Sequence, residues 1–172
     1  GISGSYLEKI SKLLNVNFIW SKNKNWDEGF IKIKAGEAEI LSSIVHTKER
    51  EDFLLFTEPY NALNFVIFAR DGDNKFLDMD SLSGHKLAQM KGSAVANFIK
   101  QDYPKIEIVE ASSVLDVIKL LSSGKVDAFV GDIPSTASYI SSTGLTNISV
   151  VAVTDYSLEA SMAIRKDLPL LA

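Results

Sequence analysis

Thr47-Lys48-Glu49-Arg50-Glu51-Asp52-Phe53-Leu54-Leu55-Phe56-Thr57-Glu58-Pro59-Tyr60 is the stretch from which the rest of the chain is read. Thr47 stands at a helix N-cap position, where a hydroxyl accepts a bond from an otherwise unpaired backbone N–H. Arg50 follows inside the first turn, among Glu49, Glu51 and Asp52. A guanidinium is poorly placed at the positive end of a helix dipole, so two readings stand side by side. In one, Arg50 is solvated and balanced by its acidic neighbours, an arrangement of small energetic weight. In the other, its planar, permanently charged fork is kept for a carboxylate. The apolar run Phe53 to Phe56 then leads to Pro59, which cannot continue a regular ladder.

Upstream, Ser5-Tyr6-Leu7-Glu8 has capping-box spacing, and Tyr6, Ile10, Leu13 and Leu14 repeat with helical period up to a stop at Asn15. Val16, Phe18 and Trp20 alternate as a short strand, and 21–25 is a polar loop. Trp26, Phe30 and Ile33 share one side of a second helix ending at Gly36, before an apolar strand, Ala38 to Leu41, that runs into Ser42 and Ser43. Downstream, Leu63 to Ala69 is a long strand closed by the turn cluster Asp71-Gly72-Asp73-Asn74. Lys86 to Met90 is a strand, and Gly92-Ser93 opens a helix through Ile99. Beyond Pro104 comes a strand with Ile106, Ile108 and Val109. Ser112 or Ser113 caps a helix carrying Val114, Val117, Ile118 and Leu121, stopped by Gly124. Val126 to Val130 is a buried strand leaving through Gly131-Asp132. Pro134 fits a first helical turn that runs to Gly144. Two alternating strands finish the chain, Ile148 to Ala152 and Leu158 to Ile164. Alternating strands and helices argue for an α/β fold with a parallel sheet.

The totals narrow the function. With 172 residues the chain is one ordinary domain or two small lobes, and 46% apolar with 23% charged residues marks a globular protein. A net charge of −4 gives no reason to expect nucleic acid, and no apolar run reaches membrane-spanning length. Without cysteine there is neither a disulfide framework nor a thiolate metal site. His46 and His85 lack a neighbouring carboxylate pattern for a metal, and no Gly-x-Ser-x-Gly elbow occurs. The start at Gly1 and the stop at Ala172 read as an excised piece of a longer chain.

The two halves echo each other: a helix, Gly36, then Glu39 entering a strand, against a helix, Gly124, then Asp127 entering a strand. The ordered series Gly36-x-Ala38-Glu39-Ile40, Thr47-x-x-Arg50, Phe56-Thr57-Glu58-Pro59-Tyr60, Leu82-x-Gly84-x-x-Leu87, Lys91-Gly92-Ser93 and Gly124-x-x-Asp127-Ala128-x-x-x-Asp132 resembles family 3 bacterial solute-binding proteins. The opening and closing segments are most similar to the variant used as the extracytoplasmic sensor domain of histidine kinases. The resemblance implies a two-lobed periplasmic-binding-protein type II fold (Venus flytrap), truncated at both ends, with the first strand before Gly1 and the closing helix after Ala172. Lobe 1 would be 1–66 plus 158–172 and lobe 2 67–157, with hinge strands near Phe65–Phe68 and Ser157–Ala160.

By the same resemblance, Arg50 clamps a ligand α-carboxylate and Asp132 receives the α-ammonium. Ser43 lies near the ligand, and Ser93 with Ala94 forms a loop whose backbone N–H groups help hold the carboxylate. The chemistry is coherent, since guanidinium forks and helix N-termini both receive carboxylates. Each residue also has a plainer role: Asp132 or Ser93 as a helix cap, Ser42-Ser43 as loop, Tyr60 and Trp20 as core or hinge packing. Val45 and Ala94 stand where amino-acid binders place hydroxyls. The implied function is non-catalytic, with no cofactor. The expected partners are a small zwitterion such as an amino acid, the signalling module of the same parent chain and a possible homodimer, on the periplasmic or extracellular face of a membrane. The alternatives are a free receptor of an uptake system, a domain that signals without ligand, and a dehydratase on the same scaffold. The dehydratase would need a general acid, for which only Asp132, Glu58 and His46 are available.

Overall fold

Strand β7, Ile148–Arg165, contributes its residues up to Leu158 to one unit of the chain and those from Glu159 to the other. The computed structural model describes residues 2–23 and 26–169, with the side chains of Trp26 and Asp27 outside that description. The chain divides into two units, Gly1–Ala62 with Glu159–Ala172, and Leu63–Leu158. Among the described residues no helix is long and apolar enough to cross a membrane.

In the first unit α1 (Ile2–Leu14) and α2 (Trp26–Ala35) precede β1 (Ile40–Val45), α3 (Lys48–Glu51) and β2 (Leu54–Phe56). Both strands pair antiparallel with the end of β7: Ile164 faces Ile40 of β1 and Leu55 of β2. The expectation of a parallel sheet is corrected for this unit: its ladders among the described residues are antiparallel, because β7 returns between β1 and β2. That position explains why Ala160 to Ile164 are buried without alternation. Ile33, Ile44, Leu54 and Ala163 form the core here, with Phe30, Phe53 and Phe56 packed against it.

The second unit holds β3 (Asn61–Arg70, from Leu63 on), β4 (Lys86–Met90), α4 (Ala94–Asp102), β5 (Glu107–Ala111), α5 (Val114–Ser122), β6 (Ala128–Asp132) and α6 (Ile133–Thr143). β4 lies parallel to both β5 and β6, while β3 pairs antiparallel with β6. Successive residues of each central strand feed opposite faces. Ile67, Leu87 and Val130 join Val95 and Ile99 of α4 in one cluster; Val66, Phe68, Ala88 and Phe129 join Val117, Ile118 and Leu121 of α5 in the other. A sheet covered on both faces explains the unbroken apolar runs of its strands.

Several sequence expectations are corrected. Helix α1 begins at Ile2, so Ser5 is inside it and the capping-box reading falls. Its buried residue is Leu7, whereas Tyr6, Leu13 and Leu14 are exposed. The period was right but its phase was set by packing, which the helix alone does not reveal. Residues 16–20 form no strand: no strand among the described residues pairs with them, and Ile19 is 96% and Trp20 63% exposed. Alternation supplies a face but not a partner. Trp20 is accordingly not core packing. The two closing strands are one, because polar Thr154 to Ser157 stay extended; Thr154 Oγ1 donates to Phe65 O at 2.7 Å and Ser157 Oγ to Asn64 Oδ1 at 2.9 Å. The expected packing role of the Trp26 side chain lies outside the described residues.

Asp127 pins the amino ends of β4 and β6: its Oδ2 accepts from Lys86 N at 2.9 Å, and its own N–H donates to Lys86 O at 2.8 Å. Burial pushes this carboxyl up, but the Lys86 N–H and the charges of His85 and Lys75 outweigh it and leave it below the usual value. A depressed folded-state value stabilises fully above the unfolded value, about pH 4, and is lost as pH falls through the folded one. Asp127→Asn should therefore lower stability at neutral pH and flatten the acid limb below about pH 4, read from denaturation midpoints across pH. For the core, Ile67→Ala should cost about 2–5 kcal/mol in urea unfolding. Val153→Ala, at a position 77% exposed, should stay within about 0.5 kcal/mol.

Candidate functional site

Arg50 is 8% exposed, which removes the solvated reading. Its Nη1 donates to Val45 O at 2.6 Å, and its guanidinium carbon lies 5.3 Å from the centre of the Phe30 ring. One side chain of α3 thus meets the end of β1 and a ring of α2. Burial lowers the Arg50 pKa and nearby Glu49 opposes the shift, but a guanidinium keeps its charge in either case. A charge so deeply placed must be paired or bonded, and the carbonyl supplies part of that. Thr47 does occupy the N-cap position of α3, but its hydroxyl makes no cap bond; its carbonyl receives Arg50 N at 3.0 Å and Glu51 N at 3.2 Å instead.

Ser43 belongs to β1, not to a loop. The register with β7 shifts between Leu41 and Ile44, so Ser42 and Ser43 form a bulge, a device that re-aims side chains. Tyr60 secures this bulge: its hydroxyl donates to Ser42 O at 2.6 Å and lies 2.8 Å from Ser3 Oγ, with its ring 4.9 Å from that of Tyr6. Reading from sequence missed one neighbouring pair. His46 Nε2 lies 2.6 Å from Glu51 Oε1 and its ring stacks on Phe56 at 4.3 Å, closing the loop that carries Arg50. The spacing of five residues around a helix start was the available signal.

In the second unit the parallel strands β5, β4 and β6 each run out into a helix N-terminus, so Ser113, Ser93 and Asp132 come to one end of the sheet. Ser113 Oγ accepts from Asp116 N at 3.1 Å, and Asp132 Oδ1 accepts from Ser135 N at 2.9 Å. Asp132 is therefore a helix cap, as its plainer reading had it, and a carboxylate there also complements the helix dipole. A second carboxylate oxygen leaves that role compatible with an ammonium partner. α4 differs: Ser93 has N-cap backbone geometry but its side chain makes no cap bond. Its N–H is turned back onto Met90 O at 3.2 Å, and Ala94 behind it is buried. Gly92 precedes it with φ of 72°, a conformation that costs other residues energy. Gln89, which sequence reading passed over, is buried in β4 and donates from Nε2 to Val130 O at 2.8 Å, tying β4 to β6 just before these loops. Among the described residues no cluster of His, Asp or Glu could hold a metal ion.

The model of the family described as bacterial extracellular solute-binding proteins, family 3, matches residues 1–106. The virulence sensor protein BvgS of Bordetella pertussis is 26% identical over 140 residues, which is 81% of this chain and 11% of that protein. The chain thus spans about a tenth of that relative's length. Among solved structures, a histidine kinase sensor domain with similarity to periplasmic binding proteins superposes with a TM-score of 0.89 at 24% identity, covering 100% of this chain and 75% of that one. The amino acid ABC transporter substrate-binding protein AbpA of Streptococcus pneumoniae, bound to L-arginine, gives 0.85 at 19% identity, covering 99% and 73%. These likenesses show the two-lobed periplasmic-binding-protein fold, as the sequence motifs imply.

The geometry of Arg50 makes it a structural member whatever else it does. Arg50→Ala leaves the Val45 carbonyl without its partner and should cost about 1–3 kcal/mol in urea unfolding. Arg50→Lys should recover little of this, because a point charge does not reproduce a planar fork stacked on a ring.

Proposed function

The chain belongs to the bacterial extracellular solute-binding proteins of family 3, and from that membership we propose that it is the extracytoplasmic ligand-binding sensor domain of a membrane signalling protein, a sensor histidine kinase. The domain itself is non-catalytic, and its ligand is an amino acid or a similar small zwitterion. Arg50 clamps the α-carboxylate, which the backbone N–H groups of the Ser93–Ala94 loop help to hold; Ser43 lies near the ligand, and Asp132 attends the α-ammonium. The lobes are about 1–66 plus 158–172 and 67–157. A ligand with differential affinity for two arrangements of such lobes shifts their equilibrium, and the signalling module of the same parent chain reads that shift. The protein works on the periplasmic or extracellular side.

The observation that carries this reading is a fixed charge within each unit taken by itself: a buried guanidinium bonded to Val45 O in the first, and a carboxylate fixed by its helix cap in the second. Two further features support it. The N-terminus of α4 has no side-chain cap, and such ends receive anions. The similarity to a virulence sensor favours signalling as the output. A free uptake receptor is the second reading, favoured by the likeness to the arginine-bound transporter protein; a membrane-spanning segment in the parent gene separates the two.

A thermal-shift screen against the amino acids tests the ligand class. Ligand at about a hundred times its dissociation constant adds roughly 2.7 kcal/mol, and each kcal/mol moves the midpoint by about 2–4 °C for a domain of this size. The expected result is a clear shift with at least one amino acid, lost in Asp132→Asn. Asparagine still caps a helix, so that variant removes the charge and keeps the fold. No shift with a folded protein that includes the parent's flanking segments would reject an amino-acid ligand.

A further inference from the structure

Strand β6 ends in Val130-Gly131-Asp132, and α6 starts at the next residue. A Cβ placed on Gly131 would lie 2.4 Å from both Cε1 and Cζ of Phe129 and 2.9 Å from Thr136 Oγ1. Carbon atoms do not approach one another so closely. Gly131 is absent from the residues with positive φ, so the demand here is for space and not for an unusual dihedral angle.

Neither neighbour is free to withdraw. Phe129 is buried, its ring stacks on Phe68 at 5.9 Å, and it belongs to the cluster with Val66, Val117, Ile118 and Leu121. Close-packed interiors give way to an added carbon only by strain. Thr136 is buried in the first turns of α6, and its Oγ1 is, among the described residues, a buried side-chain polar atom with no hydrogen-bond partner. Such atoms are uncommon because their desolvation goes uncompensated. This one is pressed against Gly131, which places its cost at the junction of β6 and α6. Phe129 from the strand and Thr136 from the helix together fill the volume that a side chain at 131 would need.

Asp132 lies between them. Its backbone is extended (φ −75°, ψ 144°), it faces Phe65 in the β3–β6 ladder while Gly131 faces Val66, and its Oδ1 holds Ser135 N. We propose that Gly131 is a positioning residue for Asp132: the missing side chain lets Phe129 and Thr136 draw the first turn of α6 onto β6, and this contact fixes the Asp132 carboxylate in its capping pose. Gly131 touches no ligand in this account. The consequence for ligand affinity rests on the reading of Asp132 given above, whereas the positioning itself does not.

The test combines amide hydrogen exchange at Ser135, followed by NMR, with the midpoint shift produced by the twenty amino acids. Gly131→Ala should accelerate exchange at Ser135 by about tenfold, the scale of a lost N-cap, and should shrink any amino-acid shift that Asp132→Asn also removes. Gly131→Ala with Phe129→Leu and Thr136→Ala reopens the space on both sides and should restore both readouts. Thr136→Val keeps the volume and removes the unpaired hydroxyl, so Ser135 protection and ligand response should persist while the midpoint rises. Unchanged Ser135 exchange in Gly131→Ala overturns the proposal. So does a triple variant that stays unprotected, whether or not the single variant folds, or loss of protection in Thr136→Val. An amino-acid shift that Asp132→Asn abolishes and a folded Gly131→Ala leaves intact also overturns it. If Ser135 responds as expected while no amino acid shifts the wild-type protein, positioning stands and the ligand reading fails.

Discussion

The first unit depends on how the charge of Arg50 is buried. An uncompensated guanidinium inside a protein is prohibitive, so the carbonyl of Val45 and the face of Phe30 have to be where they are. That requirement fixes the exit of β1 against α3 and both against α2. It also explains how a helix of four residues, too short to be stable by itself, holds a defined position: α3 is anchored by its arginine, by the backbone bonds to Thr47 and by the His46–Glu51 contact. A side chain that serves as a strut is also preorganised. If a carboxylate is to be recognised, a fork already immobilised loses less freedom on binding than one recruited from solvent.

The second unit solves a different problem. Three parallel strands deliver three helix N-termini to one end of a sheet, and each helix start leaves backbone donors without intrahelical acceptors. Ser113 and Asp132 satisfy two of these ends locally. The third, at Ala94, follows a glycine turn and a serine that does not cap. In open α/β sheets this end, beyond the carboxyl termini of the strands, is where ligands are bound. The packing of Gly131 beneath Phe129 and Thr136 shows how tightly one of these ends is set.

What the sequence reveals is what local chemistry decides. Gly36, Gly124 and Gly144 end their helices in left-handed turns, as does Asn15. Ser113 and Asp132 cap where capping residues precede an apolar period, and the buried strands of the second unit stand out as apolar runs. What stays hidden depends on partners distant in the chain. Residues 16–20 alternate like a strand but have no strand partner among the described residues, and Thr154 to Ser157 look like loop but are held extended by Phe65 and Asn64. The bulge at Ser42-Ser43 is visible only once β7 lies beside it. For the candidate site the same division holds. The cap at Asp132 could be read from Pro134 onward. The burial of Arg50 could not, because three adjacent acids suggest solvent while the residues that bury it come from β1 and α2.

The central claim is that opposite charges on a zwitterion are what this domain recognises. Calorimetric titration of the amino acid that stabilises the protein, beside its decarboxylated amine, measures that most directly. The account predicts that removing the carboxylate weakens binding by at least about tenfold, since a charge-assisted hydrogen bond contributes roughly 1.5–3 kcal/mol. Equal affinity for the two compounds, or no heat with any amino acid from a folded protein, would contradict it.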